Sequence, residues 1–154
     1  MTELSNKLEH KIGIKFKNKD LLFKSLIHKS HNSNENNEKL EFLGDRVLGL
    51  VFAKNLLKIY PNEKEGIIDK KFANLVNKKT CLLVAKKLDL KKYITTGGSY
   101  KGLSRSDDKI ISDGLEALLG AIYLDQGMIV VEKFILNAWG EFLEKSIQTQ
   151  IDAK

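Results

Sequence analysis

The sequence contains one cysteine, one proline and one tryptophan. The scarcity of cysteine and of proline restricts the class of protein. Cys81 is the single cysteine among 154 residues, which excludes an intramolecular disulfide framework and a zinc site built from several cysteines. Pro61 is the single proline, and the abundant leucine, lysine and isoleucine residues favour helices over strands. The lone thiol indicates a reducing compartment, which we expect to be the cytoplasm.

Long hydrophobic runs are also missing. The apolar stretch from Val47 to Ala53 is far too short to span a bilayer and contains a glycine. The opening residues MTELSNKLEHK have no apolar segment after their charges, so the sequence predicts neither a signal peptide nor a membrane anchor. A hydrophobic content of 42% and a charged content of 30% are ordinary for one globular domain.

Basic residues are concentrated in the middle of the chain. The net charge is +6, but residues 54–101 contain twelve lysines and four acidic residues, so this segment carries +8 and the remainder −2. Such a segment is typical of proteins that bind a polyanion, most often nucleic acid. A solubilising lysine surface explains the same composition, so the charge alone leaves both interpretations open.

The hydrophobic spacing predicts an all-α fold. No stretch alternates with the period of a strand, and Gly127 is typical of a residue that ends a helix. Thr80 is a plausible N-cap for the helix that follows it. The pattern predicts helices over 19–30, 38–60, 67–78, 81–88 and 129–147, and a further helix that Asp107 or Asp108 caps and that continues to about 125. These helices belong to one domain over 1–147, which is followed by a polar tail over 148–154.

Two of these helices carry acidic residues on one face. Glu38, Glu41 and Asp45 share a narrow stripe of the long helix, and Asp113 and Glu116 share a face of the later one. The opposite faces are apolar, with Leu40, Leu43, Val47 and Leu50 in the first helix and Ile111, Leu115, Leu118 and Ile122 in the second. Packed side by side, the helices would pool oxygen ligands that suit Mg²⁺ or Mn²⁺. Solvated acidic faces would give the same pattern.

The long helix also has features typical of a close helix contact. Phe42 lies beside the acidic stripe, so another helix or a second subunit is expected to cover it. Gly44 and Gly49 lower helix stability unless another backbone approaches closely.

Four segments together resemble a known family. Residues 37–48, NEKLEFLGDRVL, resemble the family's signature, and residues 8–30, LEHKIGIKFKNKDLLFKSLIHKS, resemble its opening. Residues 65–80, EGIIDKKFANLVNKKT, resemble the segment after the signature helix, and residues 109–127, KIISDGLEALLGAIYLDQG, resemble the second acidic motif. The family is that of the ribonuclease III endonuclease domain, and the resemblance covers residues 7–145.

The resemblance implies an activity and a site. Members of this family are all-helical, Mg²⁺-dependent endonucleases, for which Mn²⁺ is an expected substitute, and they cut both strands of double-stranded RNA to leave 5′-phosphate and 3′-hydroxyl ends. By motif position, the metal-binding carboxylates would be Glu41, Asp45, Asp113 and Glu116. Of these, Asp45 and Glu116 would be catalytic, while Glu38 and Glu65 would be supporting acidic residues of the cleft.

The resemblance also implies partners. Family members are symmetric homodimers with the signature helices at the interface, where we place Phe42 and Gly44. Double-stranded RNA would be held by some of Lys70, Lys71, Lys78, Lys79, Lys101 and Arg105. Bacterial members usually carry a double-stranded-RNA-binding domain after the nuclease domain, so we expect a shortened piece of a longer protein rather than a compact form.

Processing of ribosomal precursors and messages is the expected role. Two other functions stay open. One is a non-catalytic double-stranded-RNA-binding or scaffold domain of the same fold, and the other is an all-helical interaction module with solvated acidic faces.

Overall fold

Eight α-helices and one short 3₁₀ helix form over residues 2–97 and 107–149, the part of the chain that the computed structural model describes. The α-helices are α1 (Thr2–Ile12), α2 (Lys19–Ser25), α3 (Glu38–Ile59), α4 (Glu65–Val76), α5 (Lys78–Lys87), α6 (Asp108–Gln126), α7 (Met128–Ala138) and α8 (Gly140–Thr149). The 3₁₀ helix spans Leu90–Tyr93. The predicted all-α fold is confirmed.

The helix α6 is the centre of the fold. Every residue from 111 to 122 is buried, because α2, α3, α5 and α7 all pack against it. Its most extensive contact is with α3, which lies along it. A helix that is buried on all sides must bury its polar residues too, so Asp113 and Glu116 lie inside the fold instead of on a solvated face.

Two glycines set the distance between α3 and α6. A Cβ added at Gly44 would lie 1.6 Å from the carbonyl oxygen of Glu116, and one at Gly120 would lie 2.2 Å from that of Leu40. Only glycine permits such a close approach of two backbones. The predicted close contact at Gly44 is therefore present, but it joins two helices of the same chain. The assignment of Gly44 to a dimer interface is wrong, because α6 covers it.

Several helix ends differ from the prediction. The helix predicted over 19–30 ends at Ser25, because Ile27 pairs with Thr95 in a short parallel bridge. The amide of His28 donates to the Thr95 carbonyl at 2.9 Å and continues this pairing. The helix α5 begins at Lys78, and its N-cap is Asn77 instead of Thr80, since the Asn77 side chain accepts from the Thr80 amide at 2.8 Å.

The C-terminal helix predicted over 129–147 is two helices. The chain leaves helical geometry at Trp139, and α8 begins at Gly140 and continues to Thr149, past the predicted domain end at 147. The buried Trp139 indole donates to the Leu75 carbonyl at 2.9 Å and packs edge-on against Phe52. These long-range contacts favour the break, and periodicity alone does not show them. Helix α1 was not predicted, although Leu8 and Ile12 have helical spacing.

The exposed face of α3 also differs from the prediction. Leu50 was placed on the core face but is 57% exposed, and it lies on one side of α3 with Phe42 (62% exposed) and Leu57 (60% exposed). These three residues, which we call the apolar stripe of α3, fall within roughly 80° of the helix circumference. No helix in the described part of the chain is long and apolar enough to cross a membrane.

Candidate active site

Three carboxylates meet where α3 crosses α6. Oxygen atoms of Glu41, Asp113 and Glu116 all lie within 4.8 Å of one another. Glu41 lies one helical turn before Gly44, so the glycine contact that brings the two backbones together also brings Glu41 to the acidic residues of α6. The sequence predicted that these residues would meet, and the fold places them together.

The remaining predicted acidic residues lie at different distances from this cluster. Asp45 lines the same cleft, of about 430 Å³, and its proximity to Glu116 contributes to the raised pKa of that carboxyl group. Glu38 lies at the cleft rim, where its carboxylate is 3.6 Å from the ammonium of Lys29. Glu65 is exposed in the first turn of α4 and is not among the residues that line this cleft. Three of the six predicted carboxylates therefore meet in one cluster, and Asp45 lines the cleft beside it.

Two lysines contact the buried carboxylates. The Lys78 ammonium lies 2.5 Å from Asp113 Oδ1 and 2.9 Å from Glu116 Oε1. The Lys109 ammonium lies 2.6 Å from Asp113 Oδ2. Lys78 was predicted only as an RNA contact, and Lys109 was missed, although its spacing of four residues from Asp113 is typical of a helical ion pair. The acidic cluster therefore has its own counter-charge.

Burial acts to raise the pKa of all three carboxyl groups of the cluster. It raises the pKa of Glu116 to about 7, and the proximity of Asp45 adds to this effect while Lys78 opposes it. Burial and the neighbouring Asp113 raise the pKa of Glu41. Burial also acts to raise the pKa of Asp113, but hydrogen bonds from Lys109 and Lys78 outweigh it and lower that pKa. One group of the cluster thus stays ionised while its neighbours hold protons more tightly.

The stability of the metal-free protein should depend on pH through Glu116. Its carboxyl group has an ordinary pKa of 4.5 and a pKa of about 7 in the fold. Because the pKa is higher in the folded state, the contribution of this carboxyl group to the free energy of unfolding is complete below about pH 4.5. This contribution is lost as the pH rises through about 7. Glutamine carries no charge to bury, so Glu116→Gln should be the more stable protein at about pH 8 in the presence of chelator. We expect its free energy of unfolding to exceed that of the wild type by up to about 3 kcal/mol.

Urea denaturation of both proteins across this pH range checks the prediction. The difference in the free energy of unfolding should be small near pH 4.5 and should grow towards about pH 8. A difference that does not change with pH would contradict the raised pKa of Glu116.

The other basic candidates lie outside the acidic cluster. Lys71 is buried, its ammonium donates to the Ser146 carbonyl at 2.5 Å, and it lies over the Tyr60 ring. The prediction that Lys71 contacts RNA is therefore wrong, because its charge joins α4 to α8 inside the fold. Lys70 and Lys79 are exposed. Lys101 and Arg105 lie outside the described residues.

The donor set fits a hard divalent cation. The carboxylates of Glu41, Asp113 and Glu116 supply only oxygen ligands, and they come from two helices whose spacing is fixed by glycine contacts. Mg²⁺ and Mn²⁺ favour such ligands, whereas zinc and copper favour nitrogen and sulphur. The arrangement is compatible with a divalent cation held by these carboxylate oxygens.

Comparison with known proteins decides the family. A family model described as Ribonuclease-III-like matches residues 18–140. The chain belongs to the ribonuclease III family. Ribonuclease 3 of Pelagibacter ubique is 57% identical over 148 residues, which cover 96% of this chain and 67% of that protein. Ribonuclease 3 of Leptospira interrogans is 42% identical over 144 residues, which cover 90% of this chain and 58% of that protein. The chain therefore spans about three-fifths to two-thirds of these relatives.

Solved structures of ribonuclease III nuclease domains have the same fold as this chain. The nuclease domain of ribonuclease III from Campylobacter jejuni, described for flexibility in a region involved in dimer formation, has a TM-score of 0.77 and 36% identity. The match covers 86% of this chain and 93% of that one. Dicer from Pichia stipitis has a TM-score of 0.69 at 22% identity, over 90% of this chain and 61% of that one, and so shares the fold.

Proposed function

We propose that this ribonuclease III chain is the nuclease domain of an endoribonuclease that hydrolyses double-stranded RNA to 5′-phosphate and 3′-hydroxyl ends. The observation that carries the proposal is the meeting of Glu41, Asp113 and Glu116 within 4.8 Å at the crossing of α3 and α6. The proposed cofactor is Mg²⁺, for which Mn²⁺ can substitute. The proposed role is maturation of ribosomal precursors and messages in the cytoplasm.

The carboxylates have separate proposed roles. Glu41, Asp45, Asp113 and Glu116 would hold Mg²⁺, with Asp45 and Glu116 closest to the reaction. When bound, such a cation supplies activation of water and neutralisation of the charge on the leaving oxygen. Burial raises the pKa of Glu116 to about 7, and a carboxyl group must be deprotonated to bind a cation, so metal binding is expected to strengthen as the pH rises through this value. Glu38 and Glu65 remain proposed supporting residues.

The proposed substrate fits the charge distribution. Double-stranded RNA is recognised mainly through its shape, its phosphates and its 2′-hydroxyl groups, so lysines on the surface supply most of the affinity. The exposed Lys70 and Lys79 fit this role, and Lys78, Lys101 and Arg105 remain proposed contacts. Because this affinity is electrostatic, RNA binding should fall steeply as the salt concentration rises.

Cleavage assays test the proposal directly. A labelled RNA duplex and its single strand would be incubated at low salt with Mg²⁺, with Ca²⁺ and with chelator. We expect cleavage of the duplex only, and only with Mg²⁺. Binding of the duplex without a metal-dependent product would favour a non-catalytic RNA-binding domain, and the absence of any Mg²⁺ effect or RNA binding would contradict both.

A homodimer is part of the proposal. The apolar stripe of α3, formed by Phe42, Leu50 and Leu57, is left uncovered by other helices of the described chain, and the Arg46 guanidinium lies 3.9 Å from the centre of the Phe42 ring. Exposed apolar side chains grouped on one helix face are typical of a protein interface. It lies beside the acidic cleft, so the second copy would lie close to the site.

Replacing Phe42 with glutamate should produce a monomer. A charge in an apolar interface is costly to bury, so we expect the mass in solution to fall by half relative to the wild type. Light scattering after size-exclusion chromatography measures this mass, and circular dichroism checks that the helices remain. Leu124→Glu is the matched control, because Leu124 is 53% exposed, close to the 62% of Phe42, but lies near the end of α6. An unchanged dimer mass in Phe42→Glu would show that the interface lies elsewhere.

A further inference from the structure

Lys78 is positioned to act on the metal site from another helix. Its ammonium lies between Asp113 and Glu116, 2.5 Å and 2.9 Å from one oxygen of each, although the lysine itself belongs to α5. Its side chain is 56% exposed, so only the end of the side chain reaches the buried oxygens. Lys109 contacts the other oxygen of Asp113. Lys78 alone therefore bridges the two carboxylates among the described residues.

The position of Lys78 in its helix is electrostatically unfavourable. It is the first residue of α5, and the first turn contains no acidic residue. The N-terminus of a helix carries partial positive charge, so a lysine there is repelled. The two carboxylates of α6 offset this repulsion. Lys78 therefore stabilises the acidic cluster and does not stabilise its own helix.

We propose that Lys78 occupies the place of the divalent cation between Asp113 and Glu116 in the metal-free protein and leaves these carboxylates when the cation binds. The inference rests on the proposed function, since it assumes that these carboxylates hold a metal. Lys78 is a positioning residue in this role. Before the cation binds, the Lys78 ammonium keeps the two buried carboxylates in place. After the cation binds, the ammonium lies at the cleft opening, where a phosphate would approach.

The two cations exclude each other for steric and electrostatic reasons. Mg²⁺ binds protein oxygens at about 2.0–2.1 Å, and an ammonium hydrogen-bonded to the same oxygens would lie within a few ångströms of it. Repulsion between a unit and a double positive charge at that distance is large in a partly buried site. The exposed stem of Lys78 gives the ammonium a path into solvent, so displacement needs no change in the backbone.

Metal binding measured by calorimetry tests the inference in the absence of RNA. We expect Lys78→Met to bind Mg²⁺ at least about fivefold more tightly than the wild type, because a competing cation is removed. Lys79→Met is the matched control. It removes the same charge from the adjacent exposed position, and its affinity should stay within about twofold of the wild type, as expected for an exposed and screened charge.

The reactivity of Lys78 shows whether its ammonium leaves the carboxylates when Mg²⁺ binds or only repels Mg²⁺ from an unchanged position. Acylation of the wild-type chain, followed by mass spectrometry, should show that Lys78 reacts several-fold faster with Mg²⁺ than with chelator, whereas Lys79 reacts at the same rate in both. A Lys78 rate that does not rise with Mg²⁺, or an unchanged affinity in Lys78→Met, would overturn this inference alone. The absence of Mg²⁺ binding in both the wild type and Lys78→Met would overturn the proposed metal site as well.

Discussion

Glu116→Gln is expected to lower the cleavage of double-stranded RNA by roughly 10²- to 10³-fold or more, as for the loss of other groups that stabilise a transition state. Glu116 is 2% exposed, and its oxygens belong to the cluster with Glu41 and Asp113. Glutamine has the same shape and keeps an oxygen that can accept from Lys78. This similarity should preserve the fold, but glutamine lacks the negative charge that helps to hold a divalent cation, so the reaction should slow.

The measurement is kcat/KM on an RNA duplex at saturating Mg²⁺. Glu144→Gln is the matched control, because it makes the same change on the exposed surface of α8 and should leave the rate unchanged. Circular dichroism and the mass in solution should be those of the wild type in both variants. Full activity in Glu116→Gln would contradict the assignment of this carboxylate to the site.

Gly44→Ala should be the most destabilising small substitution in α3. The added methyl group would lie 1.6 Å from the carbonyl oxygen of Glu116 and 2.9 Å from the amide nitrogen of Gly120. Both atoms belong to the backbone of α6, so no flexible side chain can move aside. We expect the free energy of unfolding to fall by about 3 kcal/mol or more, towards the upper end of the range for overpacked cores.

Urea denaturation compares this variant with Gly66→Ala. Gly66 lies in α4, and a Cβ there would meet nothing within 4 Å, so alanine should stabilise that helix by up to about 1 kcal/mol. The same chemical change is therefore expected to have opposite signs at the two positions. A Gly44→Ala protein within about 1 kcal/mol of the wild type would contradict the close contact between α3 and α6.

The acidic site was predictable because it depends on local spacing. Glu41 and Asp45 are four residues apart, and Asp113 and Glu116 are three apart, so each pair shares a helix face wherever the helix lies. The motif resemblance added the roles that these carboxylates are expected to have. Lys78 was predicted as an RNA contact because its sequence neighbourhood is basic, and its contact with Asp113 required the packing of α5 on α6.

The sequence by itself determined that the chain is helical, which residues form the two acidic pairs and which family the chain resembles, because helical period and motif spacing are local properties. The tertiary structure alone decided which faces are covered. It placed Gly44 against α6 of its own chain, turned Leu50 outwards and buried the charge of Lys71. These outcomes depend on which helices meet and at what distance, and that is a property of the whole fold rather than of any single helix.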